Sequence, residues 1–239
     1  GVSADADAMT LTLTNVGVFV GVGGGLTDVN ADDNVNDPTT YDDNTVANGT
    51  LGFGATVTTL TLVSIKDRGA DAVLTTDDTS YLGVALDNFA GSLVGLEDLL
   101  VFRAYGVDAV LNKAVDAAGA PTTKLNWKTF SSTGLDISTA QGLLNTTSLG
   151  DLTASVDLAV DGNVVLDVLS GVLVAKGHFA IALGQVQSAA LPSGVSADAD
   201  AMTLTLTNGG VFVGGGGGRT DVTADDNVND PTNYDDNTG

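Results

Sequence analysis

The sequence predicts an all-β, mainly antiparallel fold of long strands repeated in tandem. An elongated β stack is the first arrangement, and a row of β-sandwiches is the alternative. Three observations carry this. Apolar and polar residues alternate over long stretches. Asp, Asn and Gly punctuate those stretches. One segment occurs twice: residues 1–45 return as residues 194–238, at an offset of 193 residues. The copies differ only at Val16/Gly209, Val22/Gly215, Leu26/Arg219, Asn30/Thr223 and Thr40/Asn233, so 40 of 45 positions agree. Self-similarity at a fixed spacing marks a repeat architecture. Residues 1–193 therefore read as one period, and residues 194–239 as the start of the next.

The elements follow in order. In residues 8–14, Met9, Leu11 and Leu13 alternate with Thr10, Thr12 and Thr14. That is the period of a half-buried strand with β-branched residues on its second face. Asn15 leads through Gly17 into Val18–Val22. The second copy reads Asn208-Gly209, a signal for a tight hairpin turn, so a hairpin is expected in both copies. The glycine runs that follow lack the spacing of a phosphate cradle and read as turns. Residues 51–65 alternate again, and Lys66–Gly69 reads as a turn. A strand is expected at Tyr81–Leu86. Residues 93–106 fit either period and are taken as strands. Residues 113–150 read mostly as loops. Asp161-Gly162-Asn163 predicts a second hairpin, between strands at 152–160 and 164–175. Residues 177–183 alternate and are expected to turn at Gly184-Gln185.

Composition narrows the function. The formal net charge is −22, which disfavours nucleic acid as a partner because its phosphates would be repelled. The acid is almost all aspartate, with Glu97 the sole glutamate. There are no cysteines, which removes disulfides, thiolate metal sites and thiol nucleophiles. Residues 177–197 carry Gln185, Gln187 and Pro192 and do not read as a membrane-spanning helix. The aromatic residues form no belts of the kind that girdle membrane barrels.

Candidate chemistry concentrates in the acidic loop, residues 27–45, and its second copy. Asp28, Asn30 and Asp32 have the alternate spacing that points oxygens at one hard cation. Asp33, Asp37, Asp42 and Asp43 add further carboxylates. In the second copy Asp221, Asp225, Asp226, Asp230, Asp235 and Asp236 keep the register, while Thr223 replaces Asn30. Calcium is the cofactor such a loop would take, bound by these residues. A solvated acidic insertion is the competing reading, since the glycine and terminal glutamate of an EF-hand are missing. His178 is the only histidine and lies in a strand pattern. No nucleophile-elbow or Ser/His/Asp pattern surrounds it, so no enzyme is expected.

Two stretches carry a resemblance. They are GHFAIAL at residues 177–183 and AVLNKAVDAAGAPTTKLNW at residues 109–127. The chain resembles the tandem β-strand repeats of giant bacterial secreted and cell-surface, adhesin-like proteins. The resemblance implies an exported structural repeat of a fibre or adhesin, commonly with calcium. Its expected location is extracellular or at the cell surface. Its expected partners are neighbouring repeats or copies of itself. The alternative is a β module that binds carbohydrate or another surface through its Thr/Asn-rich faces or acidic loops.

Overall fold

The computed structural model describes residues 6–29, 44–69, 77–187 and 198–218. It is all-β and antiparallel. Seven long strands form one sheet: β1 (Asp7–Val22), β4 (Leu51–Asp67), β5 (Thr79–Val94), β6 (Leu100–Asp116), β7 (Val156–Val168), β8 (Leu173–Gln187) and β9 (Asp198–Val213), in that spatial order. A small ribbon of β2 (Gly25–Thr27) and β3 (Thr45–Ala47) lies between β1 and β4 in the chain. The strands run 13 to 17 residues, far beyond the usual length of about 5–6.

The two faces of the sheet differ. On one, Val63, Ile65, Ala85 and Val110 are buried under the segment that links β6 to β7. That segment supplies Trp127, Ile137, Ala140, Leu144 and Leu152, all buried. It contains the one short helix among the described residues, α1 (Ser138–Leu143). Asp136 Oδ1 accepts the Ser138 backbone N–H at 2.9 Å just before that helix. Gln141 Nε2 donates to the Trp127 carbonyl at 2.7 Å and fixes α1 against the indole.

Asn112, buried in β6, secures this cover. Its Nδ2 donates to the Leu125 carbonyl at 2.8 Å and the Thr153 carbonyl at 2.9 Å. Its Oδ1 accepts the Trp127 indole N–H at 3.0 Å. A buried amide with its partners met in this way ties both ends of the linking segment to the sheet. Gly83 makes room beneath, because a Cβ there would lie 2.8 Å from both the Trp127 ring and Leu144.

The opposite face is aliphatic and open. Met9, Leu11 and Leu13 of β1 and Met202, Leu204 and Leu206 of β9 are exposed. Leu60, Leu62, Val84, Leu86, Leu111, Leu158, Ile181 and Leu183 fill the rows between them and are half-buried. Beyond the Asn15 kink the β2–β3 ribbon meets this side, where a Cβ at Gly17, on the same face of β1 as Leu13, would lie 3.1 Å from Val46 Cβ.

The expected hairpins at Asn15 and Asn208-Gly209 do not form. Asn15 (φ 52°) and Asn208 (φ 51°) adopt the left-handed conformation inside single strands that continue past them. A two-residue type I′ turn needs positive φ at two successive residues. Neither Val16 nor Gly209 has it, so each strand is kinked rather than reversed. The hairpin expected at Asp161-Gly162-Asn163 is likewise absent, and β7 runs straight through. Gly162 is there for contact: a Cβ would lie 2.6 Å from Val107 Cγ2 on β6. The reversal comes later, where Leu169 (φ 53°), Ser170 (φ 48°) and Gly171 (φ 93°) turn the chain into β8. Asp167 Oδ1 holds it by accepting the Gly171 N–H at 2.8 Å. The turn expected at Gly184-Gln185 is also replaced by continuing strand, to Gln187.

Candidate functional site

Of the thirteen acidic-loop residues, only Asp28 falls among the described residues. It is half-buried just after β2. Asn30, Asp32, Asp33, Asp37, Asp42 and Asp43 lie outside them, as do Asp221, Asp225, Asp226, Asp230, Asp235 and Asp236. Among the described residues no three acidic or imidazole groups converge as metal ligands.

The structure brings other polar groups together, along the middle of the covered face. Asp108 and Asp161 are opposite each other on β6 and β7. Asp108 Oδ1 accepts the Asn88 backbone N–H at 2.8 Å, and its Oδ2 accepts the Ser148 hydroxyl. Asn88 has φ 50°, which turns its amide out of the ladder and toward that carboxylate. Burial lifts the Asp87 carboxyl above its ordinary range, and the Asp108 charge and hydrogen bond push the same way. His178 Nε2 is 3.1 Å from Asp161 Oδ1, and Thr207 Oγ1 is 3.4 Å from His178 Nδ1. The contacts run from β5 to β6 and from β7 to β9. Apart from the Ser148 contact, which ties the linking segment to β6, each spans adjacent strands and acts as a cross-strand pin. A cavity of about 50 Å³ adjoins them, lined by Thr59, Thr61, Ala85, Asp87, Leu143, Thr146 and Thr147. The buried Thr61 and Thr147 hydroxyls have no protein partner there.

At one end of the sheet Gly95 donates its N–H to Glu97 Oε1 at 3.0 Å, which holds the Glu97 carboxyl below its usual range. Asn145, the first residue of a glycosylation sequon, has both side-chain atoms engaged. Its Nδ2 donates to the Gln141 carbonyl, and its Oδ1 accepts the Leu152 N–H, each at 2.8 Å.

Both edges of the sheet are left without a partner strand among the described residues. Among the described residues β1 pairs only with β4, and β9 only with β8. Natural edge strands are usually short, or guarded by Lys, Pro or bulges. These two are 16 residues long and carry no Lys or Pro. A cleft opens beside β1, lined by Ala6, Asp7, Ala8, Phe130, Leu135 and Ile137 among others. Comparison with protein-family models, curated proteins and solved structures returned no match. No helix among the described residues is long and apolar enough to cross a membrane.

Residues 109–127, singled out in the sequence, run from β6 into the linking segment, where Asn112 accepts the Trp127 indole N–H. The row of Asp87, Asp108, Asp161 and His178 was missed. Its signal lies in strand register, which a single chain's residue order does not display.

Proposed function

We propose that this chain is a structural repeat of an extracellular fibre or bacterial surface adhesin, working through length, stiffness and display of its loops. The observation that carries this reading is where the duplicated segment sits. Its two copies supply the two edges of one sheet, so the segment that opens one period also closes the period before it. A segment that recurs at both edges of one sheet is suited to a repeating architecture.

Calcium, held by the acidic loops, would offset the repulsion among their carboxylates. The array reading is tested by small-angle scattering on chains of one, two and three periods. Maximum dimension should rise linearly at constant cross-section. Independent bodies on a flexible tether would overturn it. The metal is tested by melting the chain in calcium and in excess chelator at matched ionic strength. A midpoint rise specific to calcium supports the braced loop. An equal response to magnesium and sodium removes calcium from the reading.

A further inference from the structure

The geometry points to a specific joint between periods, a deepening that rests on the array reading above. The free edge of β9 receives the next period's counterpart of β4, in the register that β1 uses with β4, and the sheet continues with six strands per period.

Two requirements must be met for one strand to serve as both β9 of one period and β1 of the next. The first is direction. Seven antiparallel strands separate the copies by six reversals, so β9 runs the same way as β1. The second is facing. A register slip of one residue would turn every side chain to the other face. Residue rows traced across the sheet settle this. Leu13 lies opposite Leu60, and the row continues through Leu86, Ala109, Val160 and Ile181 to Leu204. Leu204 is the copy of Leu11, two positions before Leu13. On the covered face Thr12 leads through Thr61, Ala85, Val110, Ala159 and Ala182 to Thr203, the copy of Thr10. Beyond the kinks Phe19 leads through Gly54, Ser92, Arg103, Val165 and Lys176 to Gly210, the copy of Gly17. All three rows return displaced by two residues in the same sense. An even displacement keeps leucine with leucine and threonine with threonine, despite the bulges in between.

The free edges are also complementary halves. β1 has its β4 side filled and its other side open. β9 has the side facing β8 filled and its β4 side open. Superposed, they make one strand paired on both sides. The cleft beside β1 fits the same arrangement. Ala199, the copy of Ala6, stands opposite Val186, so the preceding period's Val186 would lie beside Ala6, at the mouth lined by Phe130 and Leu135. Val186 is exposed in this chain.

The chain has no cysteine, so introduced pairs report contacts cleanly. The test uses a two-period chain, residues 1–238 followed by residues 46–239. One variant carries Leu206→Cys with Leu60→Cys in the second period. Another carries Thr207→Cys with Thr59→Cys in the second period. Leu13–Leu60 and Thr14–Thr59 are neighbouring pairs of the two alternating kinds, so one pair has the closer spacing needed for a disulfide. The two pairs also lie on opposite faces, which excludes face-to-face stacking as the cause. The control, Leu206→Cys with second-period Ser64→Cys, is displaced by about 14 Å along the strand. Most chains should cross-link in at least one matched variant and almost none in the control. Scattering should show growth of about 29 Å for the six added strands. A rod that lengthens without either cross-link would overturn this joint and leave the array reading standing. Two independently moving bodies without cross-links would overturn both.

Discussion

β1 and β9 are close to a controlled comparison. Residues 5–20 and 198–213 differ only at Val16/Gly209, yet they stand at opposite edges with different neighbours. Their backbones agree, each kinked at its asparagine at nearly the same φ. Their surroundings do not. Leu13 is 37% exposed and Leu206 is 70%; Val18 is 50% and Val211 is 73%. β1 is flanked by Val46 of β3 at Gly17 and by the segment around Phe130. β9 has β8 alone. Register diverges as well: β1 follows β4 in constant register, whereas β9 slips against β8 between Lys176 and His178. The strand and its kink are thus properties of the residues themselves, whereas burial and register are imposed by the partner.

This comparison can be broken most severely from the covered side. Trp127→Ala removes the largest buried side chain and should cost about 3–5 kcal/mol. Thermal unfolding would measure the loss. Amide exchange should show β1 and β4 losing protection more than β8 and β9, since the buried cluster lies on the β1 side. Uniform loss would mean that the sheet unfolds as one unit.

The next effect separates local from imposed structure. Asn15→Ala and Asn208→Ala each force alanine into the left-handed region, at about 1–2 kcal/mol. Equal losses, measured by amide exchange along each strand, would confirm the kink as local. A markedly smaller loss at Asn208 would mean that the free edge relaxes. Exchanging the single difference sharpens the contrast further. Gly209→Val should slow exchange in β9 by about 0.5–1 kcal/mol, because glycine weakens a strand and nothing crowds that position. Val16→Gly should weaken β1 by a similar amount.

The smallest effect is electrostatic and falls midway between the edges. The Asp87 carboxyl titrates higher folded than unfolded, so its stabilising contribution is present below the ordinary aspartate range. That contribution is lost as pH rises through the raised folded value. Asp87→Asn should flatten this part of the stability–pH profile in denaturant titrations. An unchanged profile would place the dependence elsewhere.

Much of the fold was legible because alternation records the pleat directly. Met9, Leu11 and Leu13 do share one face, and Thr10 and Thr12 the other. Strand ends were harder to read. Asn208-Gly209 and Asp161-Gly162 carry turn chemistry but serve as a kink and a close contact. The true turn at Leu169-Ser170 uses residues with no preference for positive φ, held there by Asp167. Nor could alternation say which face would be covered, since that depends on where Trp127 and Asn112 meet. The acidic loops, the clearest chemical signal in the sequence, fall almost wholly outside the described residues.

The two-residue displacement between β1 and β9 has a mechanical consequence. It amounts to about 7 Å along the strands for about 29 Å across them, an obliquity of about 13°. Equivalent atoms such as those of Met9 and Met202 therefore do not lie on a line perpendicular to the strands. In a flat ribbon the strands would lean against its axis. In the proposed array, with the ordinary handed twist of a sheet, the same slant would wind the ribbon into a coil. Pulling on such a coil would load its hydrogen bonds partly in shear, which shares force across many bonds at once, rather than peeling them one after another.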